Sequence, residues 1–290
     1  MTRSVRRTRR MLQLAGAGAA LMALSACSSS SDSSTEPAKP GSASPKLSGT
    51  VTVFAAASLK ESFTTLGKQF EQQHPGTKVS FNFGGSDMLA ASITGGAPAD
   101  VFAAASPKTM KIVTDKKDAV GTPATFVRNQ LEIATLPGNP DKVSSLKDLT
   151  KSGLKVVLCD KTVPCGAAAQ KALDAAELKL TPVSYEQDVK SAVNKVELKE
   201  ADAAVVYQTD VKAAGGKVEG VKFPESAKAI NAYPIAQLKN GQNAEAAKAF
   251  ITLVQSAEAR REGRLVGEAA QHARVVGRVV AVHEEAGAAV

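Results

Sequence analysis

Apolar runs alternate with segments of helical periodicity in the first part of the chain. The runs TVTVFAAA, KVSFNF and ADVFAAA are each followed by a segment whose apolar residues recur at helical spacing, over 58–73, 86–95 and 106–116. A buried strand followed by an amphipathic helix is the repeating unit of α/β proteins. The pattern therefore predicts βαβ units and a mostly parallel sheet.

A second α/β series follows the first. Its strands are QLEIATLP, LKVVLCD and ADAAVVY, its helices are predicted near 144–151, 165–176 and 187–199, and a strand-like run at 232–239 leads into a helix that begins near Ala244. Two series in a chain of 290 residues predict two lobes. The predicted lobes are 49–130 with 232–258, and 131–231. In open α/β sheets, ligands bind beyond the carboxyl ends of the strands, so the strand-to-helix joins are candidate sites.

Four joins place a helix start next to small or hydroxyl-bearing residues. They are Ser58 after Ala55 to Ala57, Ser86 after Gly84 and Gly85, Cys165 between Pro164 and Gly166, and Val189 after Asp188. Each join alone is typical of an ordinary helix start, and Ser58 with Glu61 forms a Ser-x-x-Glu capping box that predicts a helix cap. Four such joins on two lobes favour an anion site, because helix N-termini carry unpaired N–H groups and a partial positive charge.

The formal net charge of +8 does not indicate nucleic-acid binding. Residues 1–26 carry five Arg and no acid, whereas residues 27–258 carry 26 basic against 24 acidic side chains, a difference of +2. The chain has no Trp, three Tyr and no basic run interleaved with aromatic residues. Nucleic-acid binding is therefore disfavoured.

The residue inventory also argues against an enzyme. Before residue 259 the only His is His74, so a nucleophile at Ser58 or Ser86 would lack the His of a Ser-His-Asp triad. The sequence contains no G-x-S-x-G, P-loop or G-x-G-x-x-G motif, and no cluster of residues at metal-ligand spacing. We expect no catalytic residue, no metal site and no cofactor.

Six segments between about Val51 and about Gln255 resemble one protein family, in order and with compatible spacing. The segments are TVFAAASL, FGGSDMLAASI, GAPADVFAAAS, VPCGAAAQKAL, DVKSAVNKV and ADAAVVY. They are similar to segments of the periplasmic molybdate-binding proteins of bacterial ABC importers. The resemblance implies the α/β, two-lobed type II periplasmic-binding-protein fold, with mixed, mostly parallel sheets, two crossover strands and a ligand cleft between the lobes.

The resemblance also implies the ligand and the residues that bind it. That family holds a tetrahedral dianion without a counter-charge. Carried over by motif, the binding groups are the hydroxyls of Ser58, Ser86 and Tyr207 and the backbone N–H groups of Cys165 and Val189. The implied function is the capture of molybdate, and of the similarly sized tungstate, by a monomer that delivers it to an ABC permease and its ATPase. A sulfate, phosphate or other oxyanion binder, and an oxyanion sensor, are the alternatives.

The N-terminal segment predicts export and lipid anchoring. Residues 1–26 combine a basic start with an apolar stretch of 14 residues, as in a signal peptide for Sec or twin-arginine export. LSAC, ending at Cys27, resembles the lipobox of bacterial lipoproteins; an ordinary signal peptide with a chance Cys is the alternative. The Ser/Pro-rich residues 27–48 are predicted to be a flexible tether. The expected location is the outer face of the cytoplasmic membrane.

Two further features concern the cysteines and the C-terminal residues. Cys159 and Cys165 lie six positions apart, and in oxidising extracytoplasmic surroundings we expect them to pair, with two free thiols as the alternative. Residues 259–290 carry five Arg and no Lys, unlike the Lys-rich residues before them. A reading-frame change near Glu258, or a replaced tail, would explain that difference.

Overall fold

The computed structural model of the protein describes residues 47–256. The predicted signal peptide, the lipidation site Cys27, nearly all of the tether and the tail 259–290 lie outside the described residues. Among residues 47–256, no helix is both long and apolar enough to cross a membrane.

The described residues form ten strands, seven α-helices and three short 3-10 helices. The strands are β1 (Gly49–Ala56), β2 (Thr77–Gly84), β3 (Val101–Ala103), β4 (Ala119–Asn129), β5 (Leu131–Thr135), β6 (Val156–Cys159), β7 (Ser184–Glu186), β8 (Ala203–Tyr207), β9 (Glu219–Val221) and β10 (Asn231–Leu238). The α-helices are α1 (Lys60–Gln73), α2 (Ser86–Thr94), α3 (Pro107–Asp115), α4 (Pro164–Ala175), α5 (Val189–Glu197), α6 (Gln208–Ala213) and α7 (Ala244–Gln255). The 3-10 helices are Ala57–Leu59, Leu146–Thr150 and Pro224–Ala229.

The strands form two five-stranded sheets with the same pairing scheme. The first has the order β2-β1-β3-β10-β4 and the second the order β7-β6-β8-β5-β9. In the first sheet only β10 runs against its neighbours, and in the second only β5 does. The predicted class, α/β with two lobes and mixed, mostly parallel sheets, is confirmed.

The chain crosses between the two sheets twice, at adjacent places. β4 continues through Gln130 into β5, which belongs to the second sheet, and the chain returns through Ile230 into β10 of the first sheet. The two crossings lie side by side because Asn129 at the end of β4 pairs with Asn231 at the start of β10. Any motion of one lobe against the other therefore pivots near these two residues.

The interior strand β1 of the first sheet is buried on both faces. Val53 packs into the core that contains Phe63 of α1, whereas the next residue, Phe54, faces a separate core with Phe102. A strand covered on both sides needs apolar residues at successive positions, which explains the unbroken apolar run in the sequence. Phe250 of α7 meets Phe63 edge-on at 5.9 Å between ring centroids and so fixes the last described helix to the first lobe.

The sequence patterns did not predict β4, β7, β9 and α6. The three missed strands are all edge strands of their sheets. An edge strand is partly exposed, so its sequence lacks the continuous apolar run that marks a central strand. α6 has only six residues, too few to show helical periodicity.

Candidate functional site

A small cavity lies between the two lobes at the carboxyl ends of the parallel strands. Its volume is about 20 Å³, somewhat more than one water molecule requires. A compact group of a few atoms suits such a space, whereas drug-sized ligands occupy pockets of about 300 Å³ or more. The structure brings all five predicted binding residues to its wall: Ser58, Ser86, Cys165, Val189 and Tyr207.

Two helices point uncapped N-termini at this cavity. α2 begins at Ser86 after Gly85, and α4 begins at Pro164 after Val163, and neither preceding residue caps its helix with a side chain. The N–H groups of a helix's first turn have no partner within the helix. Those of α2 and α4 are therefore available to an anion in the cavity, where the helix dipoles also favour negative charge.

A third helix, α5, reaches the same wall from the second lobe. Its N-cap is Asp188, whose carboxylate accepts the backbone N–H of Ser191 at 3.0 Å and its hydroxyl at 3.2 Å. Although Asp188 lines the cavity, its charge is engaged by these donors. The first residue of the helix, Val189, is buried at the wall, as the four-join interpretation expects.

Ser58 does not cap its helix, and the capping-box prediction is wrong. Ser58 lies inside the 3-10 turn Ala57–Leu59, α1 starts two residues after Ser58, and the N-cap position Leu59 makes no side-chain cap. The Ser58 hydroxyl instead shares a hydrogen bond of 3.0 Å with the Tyr233 hydroxyl. The extra turn moves Ser58 out of the cap position and onto the cavity wall.

Ser86 and Tyr207 each receive a hydrogen bond from the protein. Ser86 Oγ accepts the backbone N–H of Ala105 at 3.0 Å, and the Tyr207 hydroxyl contacts Asn231 Nδ2 at 2.7 Å. Burial raises the pKa of Tyr207 well above its usual value, with the neighbouring Tyr233 adding to the effect. The phenol therefore keeps its proton, which it can donate to an anion.

The lysine that follows Val189 in α5 is held by two carboxylates. Lys190 Nζ lies 2.8 Å from Glu61 of α1 and 3.1 Å from Asp210 of α6. Burial raises the pKa of Asp210 to about 6, although the charge of Lys190 opposes that rise. For Lys190, burial lowers the pKa, but Asp210 and Glu61 outweigh it and the net shift is upward. Lys190 is thus ion-paired with Glu61 and Asp210. Because these two carboxylates belong to different lobes, the ion pairs also link the lobes.

The loop before α4 is covalently and sterically constrained. Cys159 at the end of β6 and Cys165 in the first turn of α4 form a disulfide, with 5.8 Å between their Cα atoms. A Cβ on Gly166 would lie only 1.9 Å from the Asp160 carbonyl oxygen, so that position requires glycine. Together these contacts fix where the Cys165 N–H lies.

The lobes also meet directly beside the cavity. A Cβ on Gly85 of the first lobe would lie 2.6 Å from the carbonyl oxygen of Gln187 in the second. Thr162 Oγ1 donates to Asp87 Oδ2 across the same boundary at 3.3 Å. These contacts describe a closed arrangement of the two lobes. Among residues 47–256, no group of three or more His, Cys, Asp or Glu could hold a metal ion.

Residues 51–262 match the family of bacterial extracellular solute-binding proteins. The chain belongs to this family. Its members are binding proteins and not enzymes, and they work outside the cytoplasm. The prediction that the chain is not an enzyme is thereby confirmed.

Individual proteins give a finer comparison. The molybdate-binding protein ModA of Mycobacterium tuberculosis is 43% identical over 212 residues, which cover 73% of this chain and 81% of that protein. The periplasmic molybdate-binding protein of Azotobacter vinelandii superposes with a TM-score of 0.62 at 21% identity, over 72% of this chain and 94% of that one. The sulfate-binding protein SubI of M. tuberculosis superposes with a TM-score of 0.62 at 16% identity, over 73% of this chain and 83% of that one. The fold alone thus does not distinguish the bound oxyanion.

Sequence reasoning missed four residues around the site. Tyr233 and Asn231 contact the wall hydroxyls directly, Asn129 contacts Tyr233, and Lys190 follows Val189 in α5. Tyr233 and Ser58 are 175 positions apart, and no local pattern links such distant residues. The Asp188 cap places Lys190 at the start of a helix, but its two partners come from other elements.

We expect Lys190→Met to destabilise the protein by about 3 kcal/mol at pH 8, because a buried carboxylate is left without its cation. The loss should be smaller at pH 5. Folded Asp210 has a raised pKa of about 6 and takes up a proton as the pH falls, which removes the uncompensated charge. Urea unfolding at both pH values measures the loss in free energy of unfolding. Adding Asp210→Asn to Lys190→Met should restore most of the stability that is lost at pH 8. Equal losses at both pH values would contradict this assignment.

We expect the unreduced, denatured protein to contain no thiol at Cys159 or Cys165 that reacts with an alkylating agent. Replacing both by Ser should lower the free energy of unfolding by about 2 kcal/mol, the chain-entropy value for so short a loop. Intact mass and urea unfolding measure the two quantities. In the wild-type protein a reductant should lower stability by the same amount, whereas it should have no effect on the double variant.

We expect Gly85→Ala to weaken ligand binding by blocking closure of the lobes. The backbone at Gly85 has φ of −60°, which alanine adopts readily, so the added methyl group conflicts only with its neighbours. Small-angle scattering with and without ligand measures closure. Thermal unfolding of the ligand-free protein is the control and should change little. Wild-type affinity in this variant would mean that the Gly85 to Gln187 approach is not needed for binding.

Proposed function

We propose that this chain is an extracytoplasmic substrate-binding lipoprotein that captures molybdate and delivers it to an ABC importer. The observation that carries the proposal is the small cavity walled by the N-termini of α2, α4 and α5 and by three hydroxyl groups. The 43% identical relative named for molybdate binding supports the choice of ligand. The partners would be a permease subunit and an ATPase subunit.

The proposed ligand shell consists of neutral donors. The hydroxyls of Ser58, Ser86 and Tyr207 and the backbone N–H groups of Cys165 and Val189 would surround the oxyanion. A dianion held by dipoles can be released without breaking an ion pair, which suits a protein that must hand over its ligand. A donor shell of fixed size would select by dimension, so tungstate should bind like molybdate and the smaller sulfate less well.

The alternative ligands are sulfate, phosphate or another tetrahedral oxyanion. The shared fold of the sulfate-binding protein keeps them open, because that fold accommodates more than one oxyanion. A sensor would use the same site but present the closed form to a membrane receptor. Neighbouring genes for a permease and an ATPase would favour transport over sensing.

The remaining parts of the proposal concern architecture and anchoring. We assign 49–130 with 232–258 to one lobe and 131–231 to the other; the division of the strands between two sheets supports this assignment, although β10 begins one residue earlier, at Asn231. Lipidation of Cys27, a flexible tether and a monomeric state rest on the sequence patterns. Radiolabelled fatty acid should be incorporated by the wild-type protein and not by Cys27→Ser.

Isothermal titration with molybdate, tungstate, sulfate and phosphate tests the proposal. We expect tight, similar binding of the first two and weaker binding of the others. Ser58→Ala and Tyr207→Phe should each weaken molybdate binding by about 1 to 3 kcal/mol, the typical value for a hydrogen bond to a charged group. Matched controls are Ser92→Ala and Tyr185→Phe, whose side chains are exposed and away from the cavity wall. Sulfate binding as tight as molybdate binding would overturn the specificity.

A further inference from the structure

Two asparagines face each other where the chain crosses between the lobes. Asn129 ends β4, Asn231 begins β10, and the two are paired in the sheet. Both side chains are buried, with 5% and 8% of their surface exposed. Neither lines the cavity, yet each contacts a tyrosine hydroxyl next to it.

The orientation of the Asn129 amide is fixed by its neighbours. Its Oδ1 accepts the backbone N–H of Gln130 at 3.0 Å, and this group can only donate. The amide nitrogen therefore lies on the opposite side, where it donates to Thr209 Oγ1 at 2.7 Å and to the Tyr233 hydroxyl at 3.3 Å. Since an amide nitrogen has no lone pair to offer, the oxygen of Tyr233 must accept.

This donation leaves the Tyr233 proton for Ser58. The Tyr233 hydroxyl lies 3.0 Å from Ser58 Oγ, and burial raises the pKa of Tyr233 so that the phenol keeps its proton. If Tyr233 donates to Ser58, the single proton of the Ser58 hydroxyl is free to point into the cavity. The chain of donors then runs from Asn129 through Tyr233 to Ser58 and on to the ligand.

Asn231 acts in the same way on Tyr207, which belongs to the second lobe. Its Nδ2 faces the carbonyl oxygen of Pro164 at 3.2 Å, a pure acceptor, so the nitrogen and not the oxygen lies on that side. The same nitrogen lies 2.7 Å from the Tyr207 hydroxyl, which must accept from it. The Tyr207 proton is thereby left to donate, to the adjacent Tyr233 oxygen while no anion is bound and to an acceptor in the cavity when an anion enters.

We propose that Asn129 and Asn231 are positioning residues that turn the hydroxyl protons of Ser58 and Tyr207 toward the ligand. A hydroxyl can either donate or accept, so a wall of hydroxyls has no preference for anions until its neighbours set the direction. Ser86 needs no such residue, because the backbone N–H of Ala105 already occupies its oxygen. The side chains then present protons, which suits an oxyanion that carries none of its own. This inference rests on the proposed function.

We call the chain of hydrogen bonds from Asn129 through Tyr233 to Ser58 the relay. Asn129→Asp tests its direction. A carboxylate at this position would accept the Tyr233 proton, so the Tyr233 oxygen would accept from Ser58 and remove a donor from the ligand. We expect molybdate affinity to fall at least tenfold. Adding Tyr233→Phe removes the competing acceptor and should recover at least threefold. Both variants carry the same added charge, so the comparison between them cancels its direct effect on the anion.

A purely structural role for Asn129 predicts the opposite result, because a second buried substitution should only add to the damage. A double variant that binds no better than Asn129→Asp therefore overturns the relay. Asn240→Asp is the matched control, since it adds the same charge at an exposed turn beyond the far end of β10. It should bind molybdate like the wild-type protein. If wild-type protein fails to bind molybdate, the proposed function fails rather than the relay.

The second branch provides a test that does not depend on the folding of an Asn129 variant. Asn231→Asp should capture the Tyr207 proton and weaken molybdate binding about as much as Tyr207→Phe. In a Tyr207→Phe background the same change should weaken binding at least threefold less than it does in the wild-type background, because only the direct effect of the added charge on the anion remains; titration of variants whose thermal unfolding shows a folded protein measures this. Fully additive losses would overturn the role of Asn231.

Discussion

The proposed site depends on one constraint: because no Lys or Arg among residues 47–256 lines the cavity, an anion buried there would have to be held by dipoles alone. Burying an unpaired charge is costly, so each oxygen of the ligand needs a donor. Helix N-termini supply such donors without a counter-charge, but each helix offers them only at its first turn. Three helix starts must therefore converge from two lobes. The strands of both sheets end at the cavity for this reason, and the small residues Ala56, Ala57 and Gly85 leave the necessary space.

The same constraint accounts for where the charged residues lie. Lys190 is one position beyond Val189, yet its ammonium group is paired with Glu61 and Asp210 rather than with the cavity. Asp188, which does line the cavity, is engaged by the backbone and hydroxyl of Ser191. Formal charges thus stabilise the helices and the closed lobes from outside the donor shell. An anion held by the proposed shell could leave on separation of the lobes without breaking an ion pair.

The sequence predicted the parts of the site that are encoded locally. A strand that runs into a helix start can be read from neighbouring residues, which is why Ser58, Ser86, Cys165 and Val189 could be found together. The capping box failed at Ser58 because the local motif competed with a distant partner, Tyr233, and with an added 3-10 turn. The edge strands β4, β7 and β9 were missed because partial exposure weakens the apolar pattern. The amide contacts of Asn129 and Asn231 join residues from separate elements, and no local sequence pattern in either segment predicts them.

Hydroxyl groups make the surrounding contacts decisive for specificity. Ser58, Ser86 and Tyr207 could equally accept protons from a ligand, so their presence at a wall does not define an anion site. What defines it is that each oxygen already receives a hydrogen bond, or lies beside a group that can give one: Ala105 N–H for Ser86, Asn231 for Tyr207 and Tyr233 for Ser58. Two of these three chains begin at the paired asparagines of the crossing strands. The two strands that cross between the lobes therefore also carry the residues that set the direction of these hydroxyl protons.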